Sequence, residues 1–543
     1  MYVNPAAVVA FFAGFLPSSP SSEGIDGAIV GHVASPTTDL IRDQESLSTR
    51  SRNLKHRHDH LKKRAITIWQ TQTVQYTVPP AKAYTPTTTS TPSSTQSTSA
   101  TTLATSYAGN VATAATQAKS TTAAAAATTA ATINSGSGPK KVFAHFMMGN
   151  SYPMSVSDFA ADIAAASAVG IDGFALNVGP DSWMADRVAK MYSAAVGTSF
   201  KLFISLDMAV MAGDGISDLT SWVTNYASHP NQYFYNNKQF VSTFAGESVT
   251  FGYASAASGW SAFKNTLSAA GHDIFFVPSF TALGPSAAMG MSSNDGAFSW
   301  DAWSTTNSEM STAEDTAYMS NKGSKVYMAG ISPWFYTHFS YKNWIYKSDD
   351  LYTTRWEQLV SMQPDFIEII TWNDFGESSY IGPLTGATPY DSEINSSAWV
   401  NGHDHTAWTD LAAYYIQAYK NAAYPTVTSN KLFWWYRTHS KDASATSDPY
   451  GKPTNYGYAD DNIYLSVLLT GSATVTVTSG GSSQTFNGVA GMNHFQYLGF
   501  STGTPSVSIT MGGSQVLSVS GPAAIVSSPS IYNFNPVVSS SSF

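Results

Sequence analysis

From Lys141 onward, short apolar runs alternate with longer stretches of helical periodicity. The runs recur at intervals of roughly 30 to 45 residues, a spacing that suits βα units. Nearly every position in them is apolar, which is typical of strands buried on both faces of a parallel sheet. The pattern predicts eight strands, at 142–148, 171–178, 201–208, 239–246, 273–280, 296–303, 326–335 and 366–374.

Helical stretches separate these strands. One is predicted at Ser157–Ala168 with Ser157 as its N-cap, another at Trp356–Met362, and an amphipathic helix at Trp408–Ala422 ends the series. Because the order is strand then helix eight times, we predict an α/β fold with a (β/α)8 TIM barrel at 141–425.

After about residue 425 the pattern changes to short alternating runs split by Gly and Ser, such as 472–479 and 505–512. Such alternation predicts an all-β domain, which we assign as a β-sandwich at 426–543. Trp434, Trp435 and Tyr436 lie near its start and would either bind polysaccharide or brace the barrel, with bracing favoured.

The segment before the barrel has a different composition. Residues 1–64 combine an apolar run at Ala6–Leu16 with a charged stretch ending in Lys62-Lys63-Arg64, and we interpret them as a signal and propeptide-like segment. The alternative is a solvated basic run without processing. Residues 65–140 are rich in Ser, Thr and Ala, which predicts a disordered linker. The apolar run has the length of a signal-peptide core but no Lys or Arg before it, so the segment indicates secretion only incompletely.

Composition narrows the ligand class. With 12% charged residues and a net charge of −9, the chain lacks the basic surface that nucleic acid or an anionic membrane would need. We predict neither partner for the mature form. Aromatic residues make up 13% of the chain, and flat rings of this kind stack on sugars. The chain has no Cys, and no spacing of His, Asp or Glu specifies a metal, so no metal and no cofactor is predicted.

Polar side chains stand at the ends of the predicted strands. In a parallel barrel those ends form the active-site face, and core packing alone would not require polar groups there. They are His145, Asn177, Asp207, Glu247, Asp301 and Asp374.

The densest cluster is the segment TWNDFGESSY at Thr371–Tyr380, which follows the eighth strand. It contains Asp374 and Glu377, and Gly376 between them would allow a turn that aims both carboxylates into one pocket. Hydrolysis of a glycosidic bond needs one protonated carboxyl and one ionised carboxylate. An Asp-x-x-Glu pair alone is weak, since such charges are usually solvated, but the flanking Trp372 and Asn373 favour a sugar site.

Other strand-end groups are candidates for substrate binding, each with a structural alternative. Asp207 would contact a sugar or form a salt bridge, and roughly half of all such Trp residues are simply core. The motif His403-Asp404-His405 is better explained as a loop packed on the barrel than as a metal site. The predicted substrate-binding residues are His145, Asn177, Asp207, Trp300, Trp334, Trp372, Asn373 and Tyr380.

Five segments of the chain resemble the fungal α-1,3-glucanases called mutanases, glycoside hydrolase family 71. They are VFAHFMMGNSYP (142–153), GIDGFALNVGPDSW (170–183), FKLFISLDM (200–208), SPWFYTHFSYKNW (332–344) and ITWNDFGESSYIGP (370–383).

This resemblance implies a barrel followed by a β-sandwich and hydrolysis of α-1,3-glucosidic bonds with inversion. It places the catalytic pair at Asp374 and Glu377, which we assign as base and acid respectively. The expected partner is α-1,3-glucan, and we expect a monomer. A wall glucan as substrate implies a protein that is secreted, extracellular or in the cell wall. The alternatives are a glycosidase of another glucan linkage and a non-catalytic protein that binds cell-wall carbohydrate.

Overall fold

The computed structural model describes residues 140–384 and 396–543. The predicted signal and propeptide segment at 1–64 and nearly all of the predicted linker at 65–140 lie outside the described residues. Both remain predictions. Among the helices of the described residues, none combines the length and the apolarity that a bilayer crossing requires.

The parallel strands of the first part of the chain confirm the predicted count of eight. Each starts within two residues of its predicted start, but most end earlier than predicted. The chain adds a two-residue strand, β4, and a hairpin, β9–β10. In chain order the strands are β1 (Lys141–Met147), β2 (Gly173–Val178), β3 (Lys201–Asp207), β4 (Phe234–Tyr235), β5 (Lys238–Phe244), β6 (Ile274–Phe276), β7 (Gly296–Ser299), β8 (Val326–Ile331), β9 (Tyr336–Phe339), β10 (Lys342–Ile345) and β11 (Phe366–Ile369).

These parallel strands form one curled sheet in the order β6-β5-β3-β2-β1-β11-β8-β7. Within the described residues no paired ladder joins β6 to β7, the two ends of that order. Two backbone hydrogen bonds do connect them: Asp295 N donates to Phe276 O at 2.8 Å, and Phe298 N donates to Pro278 O at 3.0 Å. The first and last strands in sequence, β1 and β11, are neighbours, which brings their carboxyl ends together.

Helices follow the strands. The first begins after a capping box in which Ser155 and Asp158 exchange hydrogen bonds, so the N-cap is Ser155 and the prediction of Ser157 was wrong. The helices are α1 (Val156–Ala168), α2 (Met184–Ala195), α3 (Ile216–Thr224), α4 (Ala256–Ala269), α5 (Pro285–Gly290), α6 (Ala313–Asn321), α7 (Leu351–Met362), α8 (Ser397–Val400) and α9 (Thr406–Asn421).

The interior of the curled sheet has an apolar layer below a polar one. Side chains at alternate strand positions face inward, and at the lower level these are mostly aromatic. Phe143 lies 5.0 Å from Phe203 and 6.0 Å from Phe366, ring centre to ring centre. Two residues further along β1 and β11 the buried residues are His145 and Glu368. The apolar layer thus forms a floor under a buried polar layer at the carboxyl ends of the strands.

The C-terminal part consists of two four-stranded antiparallel sheets, in the orders β16-β13-β12-β19 and β15-β14-β17-β18. Side chains from both sheets form one apolar cluster that includes Leu432, Val475 and Val507. The strands are β12 (Lys431–Tyr436), β13 (Ile463–Leu469), β14 (Ala473–Ser479), β15 (Ser482–Gly488), β16 (Gly491–Tyr497), β17 (Ser506–Met511), β18 (Ser514–Ser520) and β19 (Val537–Ser542).

The C-terminal sheets share a hydrophobic core with the helices of the curled sheet. Trp435 packs 5.9 Å from Trp408 of α9 and donates from Nε1 to Asp349 O at 2.7 Å. Trp434, Trp435 and Tyr436 are each 1% exposed. Their burial agrees with the bracing interpretation and leaves no face for a polysaccharide.

Candidate active site

The two predicted catalytic carboxylates lie in one short turn beyond the carboxyl end of β11. The chain forms a 3-10 helix at Phe375–Glu377, and Asp374 caps it by accepting a hydrogen bond from Glu377 N at 3.3 Å. Asp374 N in turn donates to Thr371 Oγ1 at 2.7 Å. These contacts fix both carboxyl-bearing residues relative to the end of the strand.

The role predicted for Gly376 needs correction. The residue of this turn with left-handed backbone is Ser378, whose φ is 57°. Gly376 is needed for space, because a Cβ there would lie 3.0 Å from Cζ of Phe339. The turn and the β9–β10 hairpin therefore lie so close together that a side chain at position 376 would require the Phe339 ring to give way by a few tenths of an ångström.

The same hairpin supplies a cation to the site. Lys342, the first residue of β10, forms an ion pair with Oε1 of Glu377. The two side chains are 24% and 21% exposed, so water reaches the pair only in part. Burial lowers the pKa of Lys342, but the carboxylates of Glu377 and Asp374 outweigh burial and raise it above its ordinary value. Lys342 therefore remains charged.

Asp374 lies in a different electrostatic environment from Glu377. Burial and the neighbouring Glu377 carboxylate raise the pKa of Asp374 to about 7, against the opposing effect of Lys342. The turn thus holds one carboxyl with a raised pKa beside a second carboxyl that is paired with a lysine. Such a difference is what general acid and base catalysis by two carboxyls requires.

Beneath the pair lies a buried polar network. His145 Nδ1 and Glu368 Oε1 are 2.7 Å apart, and both side chains are 1% exposed. Burial raises the pKa of Glu368, against the effect of His145. Burial likewise raises the pKa of Asp207 to about 6, while hydrogen bonds from the Ala209 amide and Asn177 oppose it.

Two atoms of this network have no hydrogen-bond partner among the described residues: His145 Nε2 and Glu368 Oε2. Trp300 covers this end of the network, with its ring centre 4.9 Å from that of His145 and the two rings nearly perpendicular. Buried polar atoms are normally paired, so these two are available to a ligand group or to water.

Comparison with known sequences gives the chain a family. The sequence profile described as glycosyl hydrolase family 71 matches residues 138–542. The chain belongs to glycosyl hydrolase family 71. It is therefore an enzyme of the glycoside hydrolase class, and the family match covers both the curled sheet and the C-terminal sheets.

Three relatives of this family-71 chain show which proteins it is similar to. A glucan endo-1,3-alpha-glucosidase of Schizosaccharomyces pombe is 48% identical over 75% of this chain and 95% of its own length. A mutanase of Penicillium rubens is 36% identical over 75% of this chain and 90% of its own. An ascus wall endo-1,3-alpha-glucanase of Schizosaccharomyces pombe is 37% identical over 75% and 98% respectively.

The structure of the family-71 chain brings several predicted site residues together. His145, Asn177, Asp207 and Trp300 meet at the carboxyl ends of the strands. Asn373 has a structural role, since its Oδ1 accepts from Met147 N at 2.7 Å and its Nδ2 donates to Met147 O at 3.1 Å. It thereby joins the catalytic turn to the end of β1.

Three predicted sugar-binding aromatics are not part of this cluster. Trp372 is 1% exposed and packs 5.1 Å from Phe174. Trp334 is 3% exposed and donates to Phe534 O at 3.0 Å, at the contact with the C-terminal sheets. Tyr380 is fully buried, stacked 4.1 Å from His405. Burial and internal hydrogen bonding leave none of these rings a face for substrate.

The His403-Asp404-His405 segment is a packing loop. His405 Nδ1 lies 3.0 Å from Tyr380 O, and burial lowers its pKa to about 3. Asp404 accepts from Thr406 N at 2.7 Å, at the start of α9. Within 140–384 and 396–543, no three His, Cys, Asp or Glu side chains form a group that could hold a metal ion.

Two further carboxylates predicted at strand ends, Asp301 and Glu247, make no hydrogen bond with the buried histidine–glutamate pair in the part of the chain that the structure describes. Asp301 and Glu314 lie side by side, and burial together with Asp301 raises the pKa of Glu314 to about 7. Glu314 belongs to α6, and Ser299 Oγ of β7 donates to its Oε1 at 3.4 Å. Glu247 is partly buried and its Oε2 has no partner among the described residues.

Two site residues were missed. Glu368 interrupts an otherwise apolar strand, FIEII, and that interruption was a visible signal. Lys342 lies within a segment that resembles the family, but its contact with Glu377 spans 35 positions of the chain. Neither spacing nor periodicity could have predicted that contact.

Proposed function

We propose that this chain hydrolyses α-1,3-glucosidic bonds of α-glucan, with Asp374 and Glu377 as its acid and base pair. The observation that carries the proposal is the pair itself: two carboxyls in one turn, one beside a lysine and one with a raised pKa. The names of the three relatives support the substrate class.

The reaction needs a proton on the leaving oxygen and a water molecule activated for attack on the anomeric carbon. An inverting enzyme would hold its two carboxyls about 6.5 to 9.5 Å apart, so that this water fits between substrate and base. Part of the proposal is that the pair works in this inverting manner.

Substrate would lie over the buried network at the mouth of the sheet. We assign contacts with sugar hydroxyls to His145, Asn177 and Asp207, and a stacking or edge contact to Trp300, which is partly exposed. His145 Nε2 has no hydrogen-bond partner among the described residues and lies beneath Trp300, so contact with a sugar would require that ring to move. The remaining predicted residues would support the site by packing and hydrogen bonding, without contacting substrate. They are Trp334, Trp372, Asn373 and Tyr380.

The proposal extends to architecture and location. The two hydrogen bonds between β6 and β7 support closure of the curled sheet into a (β/α)8 barrel, and the shared apolar cluster supports a sandwich of the C-terminal sheets. Action outside the cell, on wall glucan and as a monomer, fits the ascus wall relative and the composition.

The first experiment measures reducing sugar released from insoluble α-1,3-glucan by the full chain, with β-1,3-glucan as the control substrate. Asp374→Asn and Glu377→Gln should each lower the rate by about 10²- to 10⁴-fold, the usual contribution of a general acid or base. Asp186→Asn, a change on the exposed face of α2, is the matched control and should retain full activity.

Release from the β-glucan instead would move the chain to another linkage. Binding of α-1,3-glucan without release by the unaltered chain would favour a non-catalytic wall-binding protein.

A further inference from the structure

The β9–β10 hairpin places one cation on the catalytic pair. Among the described residues, Lys342 is the basic side chain in ion-pair contact with Glu377, and none has such a contact with Asp374. Its Nζ also lies 5.7 Å from the Phe335 ring centre and 5.5 Å from that of Trp344. Aromatic faces favour a cation, so the ammonium group is held where it meets Glu377.

The hairpin is anchored from the side of the C-terminal sheets. His338 contacts Asn343 Oδ1 across the hairpin at 2.9 Å and Asp448 Oδ2 at 2.8 Å. Thr454 N donates to Asn343 O at 3.0 Å, and Ile345 N donates to Thr454 O at 3.1 Å. Contacts on both sides of Lys342 therefore fix its backbone relative to the catalytic turn.

A fixed cation makes the two carboxyls unequal. A positive charge in contact with a carboxylate favours its ionised form, and two neighbouring carboxylates disfavour the ionisation of each other. Lys342 contacts Glu377 and makes no such contact with Asp374, so its charge distinguishes the two carboxyls of the pair.

We propose that Lys342 is a positioning residue that assigns the two catalytic roles, keeping Glu377 ionised as the base and leaving Asp374 protonated as the acid. This inference rests on the proposed function and reverses the order of roles expected from the sequence.

The proposed reaction is the hydrolysis of one glycosidic bond by one water molecule. Asp374 gives its proton to the glycosidic oxygen, the bond from that oxygen to the anomeric carbon breaks, and the electron pair leaves with the oxygen. Water attacks the anomeric carbon and loses a proton to Glu377. After product release Glu377 returns its proton to solvent and Asp374 regains one, which restores the starting state.

The roles are tested with an α-1,3-linked oligoglucosyl fluoride, whose leaving group needs no proton. Asp374→Asn should hydrolyse it within about 10-fold of the unaltered enzyme while losing about 10²-fold or more on the glucan. Glu377→Gln should be impaired by about 10²-fold or more on both substrates. The opposite pattern, with Glu377→Gln active on the fluoride, would overturn the assignment.

The part played by Lys342 is tested with Lys342→Met and Lys342→Arg, measured as kcat/KM against pH. Lys342→Met should move the acidic limb of the profile upward by about one pH unit or more, because Glu377 loses its cation. Lys342→Arg should restore most of that shift. Lys190→Met, which removes a partly exposed lysine of α2 that is paired with Asp186, should leave the profile unchanged.

The experiments distinguish a failure of the proposed function from a failure of the inference about Lys342. If the unaltered chain releases no sugar from α-1,3-glucan, the proposed function fails. If it is active but Lys342→Met keeps the parent acidic limb, the inference about Lys342 fails alone. Melting temperatures of both Lys342 variants show whether lost activity reflects unfolding. The fluoride experiment decides the catalytic roles independently, because the Asp374→Asn and Glu377→Gln variants both keep Lys342.

Discussion

At the scale of single residues, the electrostatics of the pair predict how activity depends on pH. Burial and Glu377 raise the pKa of Asp374 to about 7. If Asp374 must be protonated to act as the acid, kcat/KM falls as pH rises through about 7, since this ratio reports the free enzyme. A rate profile on soluble α-1,3-oligosaccharides from pH 4 to 9 checks this. A profile that climbs between pH 6 and 8 would instead make Asp374 the base.

The sequence identified the chemistry of single residues better than their direction. Asp374, His145 and Asp207 were predicted because a core does not require polar groups at strand ends. Glu377 was predicted because it follows Asp374 by three residues. Trp372 neighbours the pair in sequence, and yet its ring points into the layer between sheet and helices. Adjacent residues of an extended chain point to opposite sides, and the motif alone does not say which side faces substrate.

At the scale of elements, the close approach of turn and hairpin predicts the effect of one methyl group. In Gly376→Ala the new Cβ would lie 3.0 Å from Phe339 Cζ, so the Phe339 ring or the turn must give by a few tenths of an ångström. We expect kcat to fall by about 2- to 10-fold, a fraction of the roughly 100-fold loss that a displacement of about 1 Å would cause.

The measurement is kcat on α-1,3-glucan together with the melting temperature of Gly376→Ala. Gly402→Ala, in a loop where a Cβ meets nothing within 4 Å but φ is +80°, controls for glycine replacement with backbone strain. Equal kcat for Gly376→Ala and the unaltered enzyme would show that the turn tolerates displacement.

The sequence also located most elements, and the exceptions have a physical reason. The apolar run at 326–335 predicts one strand, but β8 ends at Ile331 and the hairpin begins at Tyr336. The hairpin mixes aromatic and polar residues because it packs on the catalytic turn and on the C-terminal sheets at once. No single periodicity describes an element that packs on two partners. The sequence therefore predicted neither the hairpin nor the role of Lys342 within it.

At the scale of the whole molecule, the common core makes the curled sheet and the C-terminal sheets interdependent. Phe433 and Phe534 belong to the same apolar cluster as Trp408 of α9. The alternating strands predicted the second part of the chain, but a contact such as that of Trp334 with Phe534 O joins positions 200 residues apart. Contacts of this kind decide whether an aromatic residue is core or site, and local patterns do not contain them.

The stability of this shared core should depend on pH through Asp162, a residue of α1 that is 5% exposed. Burial raises its pKa from 3.8 to about 7, against a hydrogen bond from Trp372. A raised pKa means that the folded state binds the proton more tightly. The associated stability is fully present below about pH 3.8 and is lost as pH rises through about 7.

Asp162→Asn keeps an acceptor for Trp372 but cannot ionise, so it should match the unaltered protein near pH 4 and exceed it in stability at pH 8. The gap has an upper bound of about 4 kcal/mol, from roughly 3 pKa units at 1.36 kcal/mol each. Urea unfolding midpoints at both pH values measure it, with Asp181→Asn, an exposed carboxylate, as the matched control. A gap that is the same at pH 4 and pH 8 would mean that Asp162 ionises in the folded protein as readily as in the unfolded chain, because only a pKa difference between the two states makes the gap grow with pH.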